Sequence, residues 1–431
     1  MIMLILSIFI VSYAFIILEH NINIDKAASA LVGGVLCWTA LTFQQPTEIV
    51  AHSLTEHVVE ISSILLFLMG AMTIVEIIDA HHGFEIITNQ ISTTSKVKLL
   101  WILAFLAFFL SAALDNLTTA IVMVSLLRKI IADQKTRWIF GGVVIIAANA
   151  GGAWSPIGDV TTTMLWIGGQ ITSGHTIQSL FLPSFISLLL PLIILSFTQK
   201  GSIQPTEETH YSNFQLSKKT QWSVFITGMI GLLFVPVFKT ITHLPPFMGM
   251  MLSVGITWFI IDLVHGRKIG EERAQFSALS ALRKIDLPSV LFFLGILLSV
   301  GALQQAGFLQ ELSIWLKDTI QNGYGINIAI GFLSAIIDNV PLVAASKSMY
   351  PIVANGSTDV WLSQFVQDGT FWQFLAYTAG TGGSMLIIGS AAGVAVMGIE
   401  KIPFSWYLKN LSWLAVIGFL TGCAVFILSH T

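Results

Sequence analysis

The sequence predicts an all-α polytopic membrane protein containing an inverted repeat, two re-entrant hairpins and two broken helices. Three observations carry that expectation. Apolar runs of spanning length recur from end to end. The dipeptide Asp-Asn stands twice inside such runs, as Asp115-Asn116 and Asp338-Asn339. Two further runs are interrupted at their centres by paired glycines, Gly151-Gly152 and Gly382-Gly383.

Only 10% of the 431 residues are charged and 55% are hydrophobic, with a mean hydropathy of +0.81. Soluble domains carry about 25% charged residues. A span needs roughly 20 apolar residues. The chain divides at about 2–18, 27–43, 57–79, 99–132, 138–173, 181–198, 219–238, 246–265, 287–305, 326–354, 370–399 and 404–428, so residues 1–431 form one integral membrane domain. A net charge of −3 without a basic cluster leaves no nucleic-acid footprint; the partner medium is the lipid bilayer. Cys37 and Cys423, far apart in apolar runs, read as packing residues. The first run lacks the basic start and small-residue cleavage site of a signal peptide and reads as a retained span.

Segments 99–132 and 326–354 are too long for one span and short for two. Lys96 and Lys98 precede the first, while Arg128, Lys129, Lys135 and Arg137 follow it, so both its ends read as cytoplasmic. Treating both segments as hairpins gives ten full spans and places both termini outside. The loops holding Lys26, Lys200 with Lys218 and Lys219, Arg267 to Lys284, and Lys401 then fall inside; Lys239 and Lys317 are the exterior exceptions. Segments 81–95 and 306–322, of mixed polarity, read as interfacial helices.

Three pairs of motifs recur in the same order: Leu66-Phe67-Leu68-Met69-Gly70 with Phe292-Phe293-Leu294-Gly295, Ser111 to Asn116 with Ser334 to Asn339, and Gly151-Gly152 plus Gly158 with Gly382-Gly383 plus Gly389. They define a first repeat over 57–198 and a second over 287–428. An odd number of crossings between copies turns the second upside down, the signature of transporters whose substrate sits where broken helices meet near the midplane. The breaks are Gly151, Gly152, Pro156 and Gly158 in one copy and Gly380, Gly382 and Gly383 in the other. Unwound backbone at membrane depth occurs where it is buried in protein or lines a cavity.

Charge in apolar sequence is costly, so Asp115 and Asp338 are the leading binding candidates. A helix cap is the plainer reading, yet a neutral residue would cap without desolvating a carboxylate. Asn116, Asn339, Asn149, Ser155, Thr378, Thr381 and Ser384 supply neutral oxygens or turn-forming groups, and Asp159 is a third carboxylate or a cap for the half-helix after it. Lys347 either snorkels or pairs with Asp338 or another carboxylate. Glu76 and Asp79 read as interfacial. His20, His81, His82 and His265 gather on the predicted inner side; their titration range suits a pH sensor, while scattered interfacial histidines ordinarily need no such role.

Five stretches carry a resemblance: LFLMGAMTIVEIIDAH from Leu66, SAALDNLTTAI from Ser111, NAGGAWSPIGDVTTT from Asn149, SAIIDN from Ser334 and GTGGSMLIIGSAAG from Gly380. Together they resemble the NhaD family of sodium/proton antiporters, within the ion transporter superfamily that includes dicarboxylate and arsenite carriers. The resemblance covers nearly the whole chain. It implies a homodimer, a scaffold with a mobile transport domain, and an elevator-like movement. The dicarboxylate carriers have Ser-Asn-Thr motifs at the hairpin tips, where this chain has Asp-Asn.

The expected activity is therefore exchange of cytoplasmic Na⁺ or Li⁺ for external H⁺ in a bacterial inner (plasma) membrane, without a cofactor. Asp115 and Asp338 would bind Na⁺ or Li⁺ when ionised and carry H⁺ when neutral. A sodium-coupled anion carrier of the same fold is the first alternative, opposed by the scarcity of membrane Arg and Lys. An intramembrane aspartyl protease is the second, opposed by the symmetric Asp-Asn pattern. No constellation for covalent or metal-hydrolase catalysis is present, so no enzyme is expected.

Overall fold

The computed structural model describes every residue except 1, 18, 23, 89, 90, 92, 204–215, 266–275, 355, 357, 358 and 431, and the side chains of all of these save 2, 20, 21, 87 and 88. His20 and Arg267 thus lie outside the described side chains. The elements are α1 Ile2–Ile17, α2 Glu19–Ile22, α3 Lys26–Leu41, α4 Thr47–Ala80, α5 Glu85–Thr88, α6 Lys96–Leu114, α7 Asn116–Ile130, α8 Gln134–Ala153, α9 Val160–Ile167, α10 Ser173–Thr198 and α11 Lys218–Thr242. There follow α12 Pro246–His265, α13 Ala278–Lys284, α14 Leu287–Gln305, α15 Phe308–Ile320, α16 Gly323–Ser334, α17 Asn339–Met349, α18 Val360–Ser363, α19 Thr370–Gly382, α20 Ala391–Glu400, α21 Phe404–Asn410 and α22 Ser412–His430. Among the described residues the regular structure is helical, with two isolated β-bridges, and seven helices are long and apolar enough to cross a membrane unaided. The protein is a polytopic helical membrane protein.

Those seven include α6, which the sequence assigns to a hairpin arm, and shorter apolar helices such as α3 and α16 stand beside them. The helix at 57–79 is longer than its apolar run: α4 has 34 residues and begins right after Pro46. Nothing between Thr47 and His57 breaks a helix, so polar sequence extends it. At 1.5 Å per residue it is about 51 Å long, against an apolar layer of about 30 Å. The predicted final span divides into α21 and α22, while 306–322 is helical as α15.

Two long helices form the centre. Every residue of α8 from Phe140 to Ala153 is buried, as is every residue of α19 from Phe371 to Gly382. Around α8 pack α6, α7, α10 and α20; around α19 pack α16, α17, α22 and α9. A second group, α3 with α1 and α14, and α4 with α11 and α12, lies alongside. Cys37 and Cys423 are free and buried, in agreement with packing roles.

The contacts at the centre match residue for residue. Ser111 Oγ donates to the Ala148 carbonyl at 2.6 Å, and Ser334 Oγ donates to the Ala379 carbonyl at 2.8 Å. A Cβ on Gly151 would run into the Phe108 carbonyl, and one on Gly382 into the Gly331 carbonyl. The glycines admit the backbone of a neighbouring helix where any side chain would separate the two.

The interfacial segment at 81–95 forms a turn and the short α5. Glu85 accepts from Lys129 Nζ at 2.7 Å and meets His82 Nδ1 at 3.4 Å. The His82 hydrogen bond, with Lys129, holds the Glu85 carboxyl down at about 2; the Glu85 hydrogen bond raises His82 above its ordinary 6.5. Glu85 then adds stability above its ordinary 4.5, lost as pH falls towards 2, whereas His82 adds stability below 6.5, lost as pH rises through its raised value. Amide exchange over Glu85–Thr88 is expected to be slowest, after correction for intrinsic rates, between those limits. The effect is small because both groups are about one-third exposed. His82→Ala should remove the alkaline limb; an unchanged profile would refute the link.

Candidate cation site

The α6–α7 helix pair breaks at Asp115, which has φ +86°. This is a conformation that non-glycine residues adopt at a cost of about 1–3 kcal/mol, held only by surrounding structure. Its carboxylate caps α7, accepting from Thr118 N at 2.7 Å and Thr118 Oγ1 at 3.0 Å. Asp338 caps α17, accepting from Val340 N at 3.2 Å. Asp159 follows the break after α8 and caps α9, with Thr161 N at 3.4 Å. Ser390 follows the break after α19 and caps α20, with Gly393 N at 3.2 Å.

Four half-helices therefore start at these breaks, three of them on an aspartate. Cap and binding site are not rival readings here. A helix N-terminus offers unpaired N–H groups and a positive dipole end, which favour a negative charge. That partly offsets the cost of removing a carboxylate from water.

Asp159 is the most enclosed of the three at 1% exposure, and it lies within electrostatic reach of both Asp338 and Asp115. Asp115 and Asp338 are partly buried. The free oxygen of Asp159, Oδ2, accepts from Asn339 Nδ2 at 3.2 Å. On the other side Asn116 Nδ2 donates to Asn149 Oδ1 at 3.0 Å, and Asn149 Nδ2 donates to Ser384 Oγ and Ser390 Oγ, each at 2.9 Å. The structure thus brings Asn116, Asn149 and Ser384 together, and separately Asp159 and Asn339.

Other predicted oxygens are spent locally. Thr381 Oγ1 donates to the Tyr377 carbonyl at 2.6 Å, Thr378 Oγ1 to the Leu375 carbonyl at 3.4 Å, and Ser155 Oγ accepts from Ile157 N at 3.4 Å. Lys347 lies 3.8 Å from Glu60 of α4, so its carboxylate partner is Glu60 and not Asp338. The pair lines a cavity of about 470 Å³ with Glu56, His57 and Gln304. Asp338 instead has Lys26 of α3 and Tyr13 of α1 within electrostatic reach. A smaller cavity of about 30 Å³ touches Asp115, Asn116 and Thr163 between apolar walls of Phe67, Leu68 and Met250, room for an occupant the size of one water. His81 Nε2 and His265 Nε2 meet at 2.9 Å where α4 and α12 end.

Sequence reasoning missed Ser390 and Thr161. Extending the glycine alignment by one residue, from Gly158-Asp159 to Gly389-Ser390, would have found Ser390. Thr161 is fully buried against Asp159, to which its backbone N–H donates at 3.4 Å.

Carboxylates that cap helices at breaks inside a many-helix membrane protein suit the transport of ions. A family model described as "Citrate transporter" matches residues 13–365. The chain is 48% identical over 427 residues to "Sodium/proton antiporter 1" of Arabidopsis thaliana, covering 98% of this chain and 72% of that protein. It is 46% identical over 425 residues to "Sodium/proton antiporter 2" of the same plant, covering 98% of each. "Na(+)/H(+) antiporter NhaD" of Vibrio cholerae is 30% identical over 457 residues, 99% of this chain and 90% of that protein. The chain belongs to the NhaD-type sodium/proton antiporter family.

Proposed function

We propose that the protein exchanges Na⁺ or Li⁺ for H⁺ across a membrane, through a site that either a cation or protons can occupy. One observation carries this reading: three aspartates cap helices at breaks in the chain, and the buried one, Asp159, has the other two within electrostatic reach. Carboxylate and amide oxygens are hard ligands suited to a small hard cation. Deprotonation readies the site for the metal, and protonation expels it. Competition of this kind yields antiport when only loaded forms cross.

The likeness to proteins named sodium/proton antiporters supports the same substrate pair. A sodium-coupled anion carrier is favoured only by the name of the matching family model; the carboxylates would repel an anion. The matched serine bonds and glycine crossings support an inverted repeat of 57–198 and 287–428, with α6–α7 and α16–α17 as the opposed re-entrant hairpins. A homodimer, an elevator movement and a bacterial inner membrane rest on the resemblance alone.

Everted vesicles loaded with a proton-sensitive dye test the proposal. Na⁺ or Li⁺ added at alkaline pH should release a preformed quench. Absence of dequenching, or Na⁺ uptake that requires an organic anion, would overturn it.

A further inference from the structure

Superimposing the two halves by their motifs pairs Asn116 with Asn339, Asn149 with Gly380, Ala153 with Ser384 and Asp159 with Ser390. The contacts obey that pairing. Asn149 reaches Ser390 at 2.9 Å, and a Cβ built on Gly380 would stand 3.2 Å from Asp159 Oδ2; Asn149 also reaches Ser384 at 2.9 Å, and that same Cβ would stand 3.3 Å from the Ala153 Cβ. Two equivalent centres therefore exist, and they are built differently.

The first centre is Asn116, Asn149, Ser384 and Ser390. Asn149 fills it, with both amide hydrogens donated to serine oxygens and its carbonyl accepting from Asn116. None of these four residues is a carboxylate, and the Asn149 amide occupies the space between the two serines. The second centre is Asn339, Gly380, Ala153 and Asp159. Here the position that Asn149 fills is a glycine, and a buried carboxylate stands where the other has a serine. Thr161 adjoins this centre through its backbone N–H, which donates to the Asp159 cap.

We infer that the protein keeps one cation pocket of a once-equivalent pair: the Asp159–Gly380–Asn339 centre takes the alkali cation, its counterpart is plugged by the Asn149 amide, and the bare Cα of Gly380 sets the size of the ion admitted. The inference rests on the proposed cation exchange and deepens it. One carboxylate and one plug mean one cation per chain in each passage. A methyl group at Gly380 would stand 3.2 Å from Asp159 Oδ2 and 3.3 Å from the Ala153 Cβ, closer than ordinary van der Waals contact, so it would press on the carboxylate and narrow what this centre admits.

The test uses the full-length protein in proteoliposomes and in detergent. Equilibrium binding of radioactive Na⁺ to the purified wild type should saturate at one ion per chain, with a Hill coefficient near one for Na⁺ in exchange. Gly380→Ala should raise the KM for Na⁺ several-fold more than that for Li⁺, so that the Na⁺/Li⁺ preference moves towards Li⁺. A merely structural defect would lower both alike. If Gly380→Ala does not fold, Asn149→Ser keeps the question open to refutation: removing the plug without adding a carboxylate should leave the stoichiometry at one. Two ions per chain in the wild type, or an unchanged Na⁺/Li⁺ ratio in folded Gly380→Ala, overturns the inference. Absence of any Na⁺-driven proton movement in the wild type would instead overturn the exchange reading beneath it.

Discussion

Asp159→Asn is expected to abolish exchange while leaving the protein folded and inserted. Asn is as good a helix cap as Asp, so the start of α9 keeps its bond from Thr161 N. Its volume is unchanged in a site with 1% exposure. What disappears is the charge, together with the second acceptor oxygen, so the Asn339 amide must turn its own oxygen towards the new NH2 to keep a bond there. A cation brought into this locus without its carboxylate loses a desolvated opposite charge, a loss of about 3–5 kcal/mol by analogy with breaking a buried ion pair. That corresponds to roughly 100- to 4,000-fold weaker binding. Dequenching by Na⁺ and Li⁺ should fall to background in vesicles containing normal amounts of the variant. Asp115→Asn and Asp338→Asn should also lose exchange if protons are carried at the tips. Wild-type activity in Asp159→Asn would remove this residue from the site and return the leading role to the tips.

That ranking differs from the one the sequence suggests. Asp115 and Asp338 stand out along the chain because they repeat, and repetition is visible without a structure. Asp159 has a serine as its counterpart, so the alignment that singles out the tips passes it over. Its importance comes from position between the halves, a long-range property.

The same division holds elsewhere. Helix breaks at Gly151-Gly152 and Gly382-Gly383 are legible because glycine pairs interrupt apolar runs, and local chemistry decides where a helix stops. The bond from Asn339 to Asp159 and those from Asn149 to Ser384 and Ser390 join residues 180, 235 and 241 positions apart. Nothing local encodes them. Lys347 could have found any carboxylate; its partner Glu60 lies 287 positions away on α4, a pairing that packing decides. Hydropathy alone also hides the continuity of α4 from Thr47, since the extra turns are polar.

The second large effect lies at the far end of α20. Glu400 is buried, with a side-chain exposure of 1%, and receives Arg128 Nε at 2.7 Å and Arg137 Nε at 2.9 Å. Trp138 Nε1 donates to its backbone carbonyl at 3.0 Å, and Arg128 also donates to the Ile399 carbonyl. The end of α20 is thereby tied to the end of α7 and the start of α8. Since Asp159 and Asn339 likewise meet from distant parts of the chain, a loose tie would let the two halves of the site drift apart. Glu400→Gln keeps the shape and removes the charge shared by both guanidiniums. Breaking a buried pair costs about 3–5 kcal/mol; Arg128 is half exposed and can rehydrate, so about 2–4 kcal/mol is expected after that screening. The melting temperature in detergent should fall by several degrees. Arg137→Met should cost more than Arg128→Met, because Arg137 is 18% exposed against 51% and also donates to the Ile131 and Ala132 carbonyls. An unchanged melting temperature in Glu400→Gln, or the reverse order of the two arginines, would show that the halves are held together by helix packing alone.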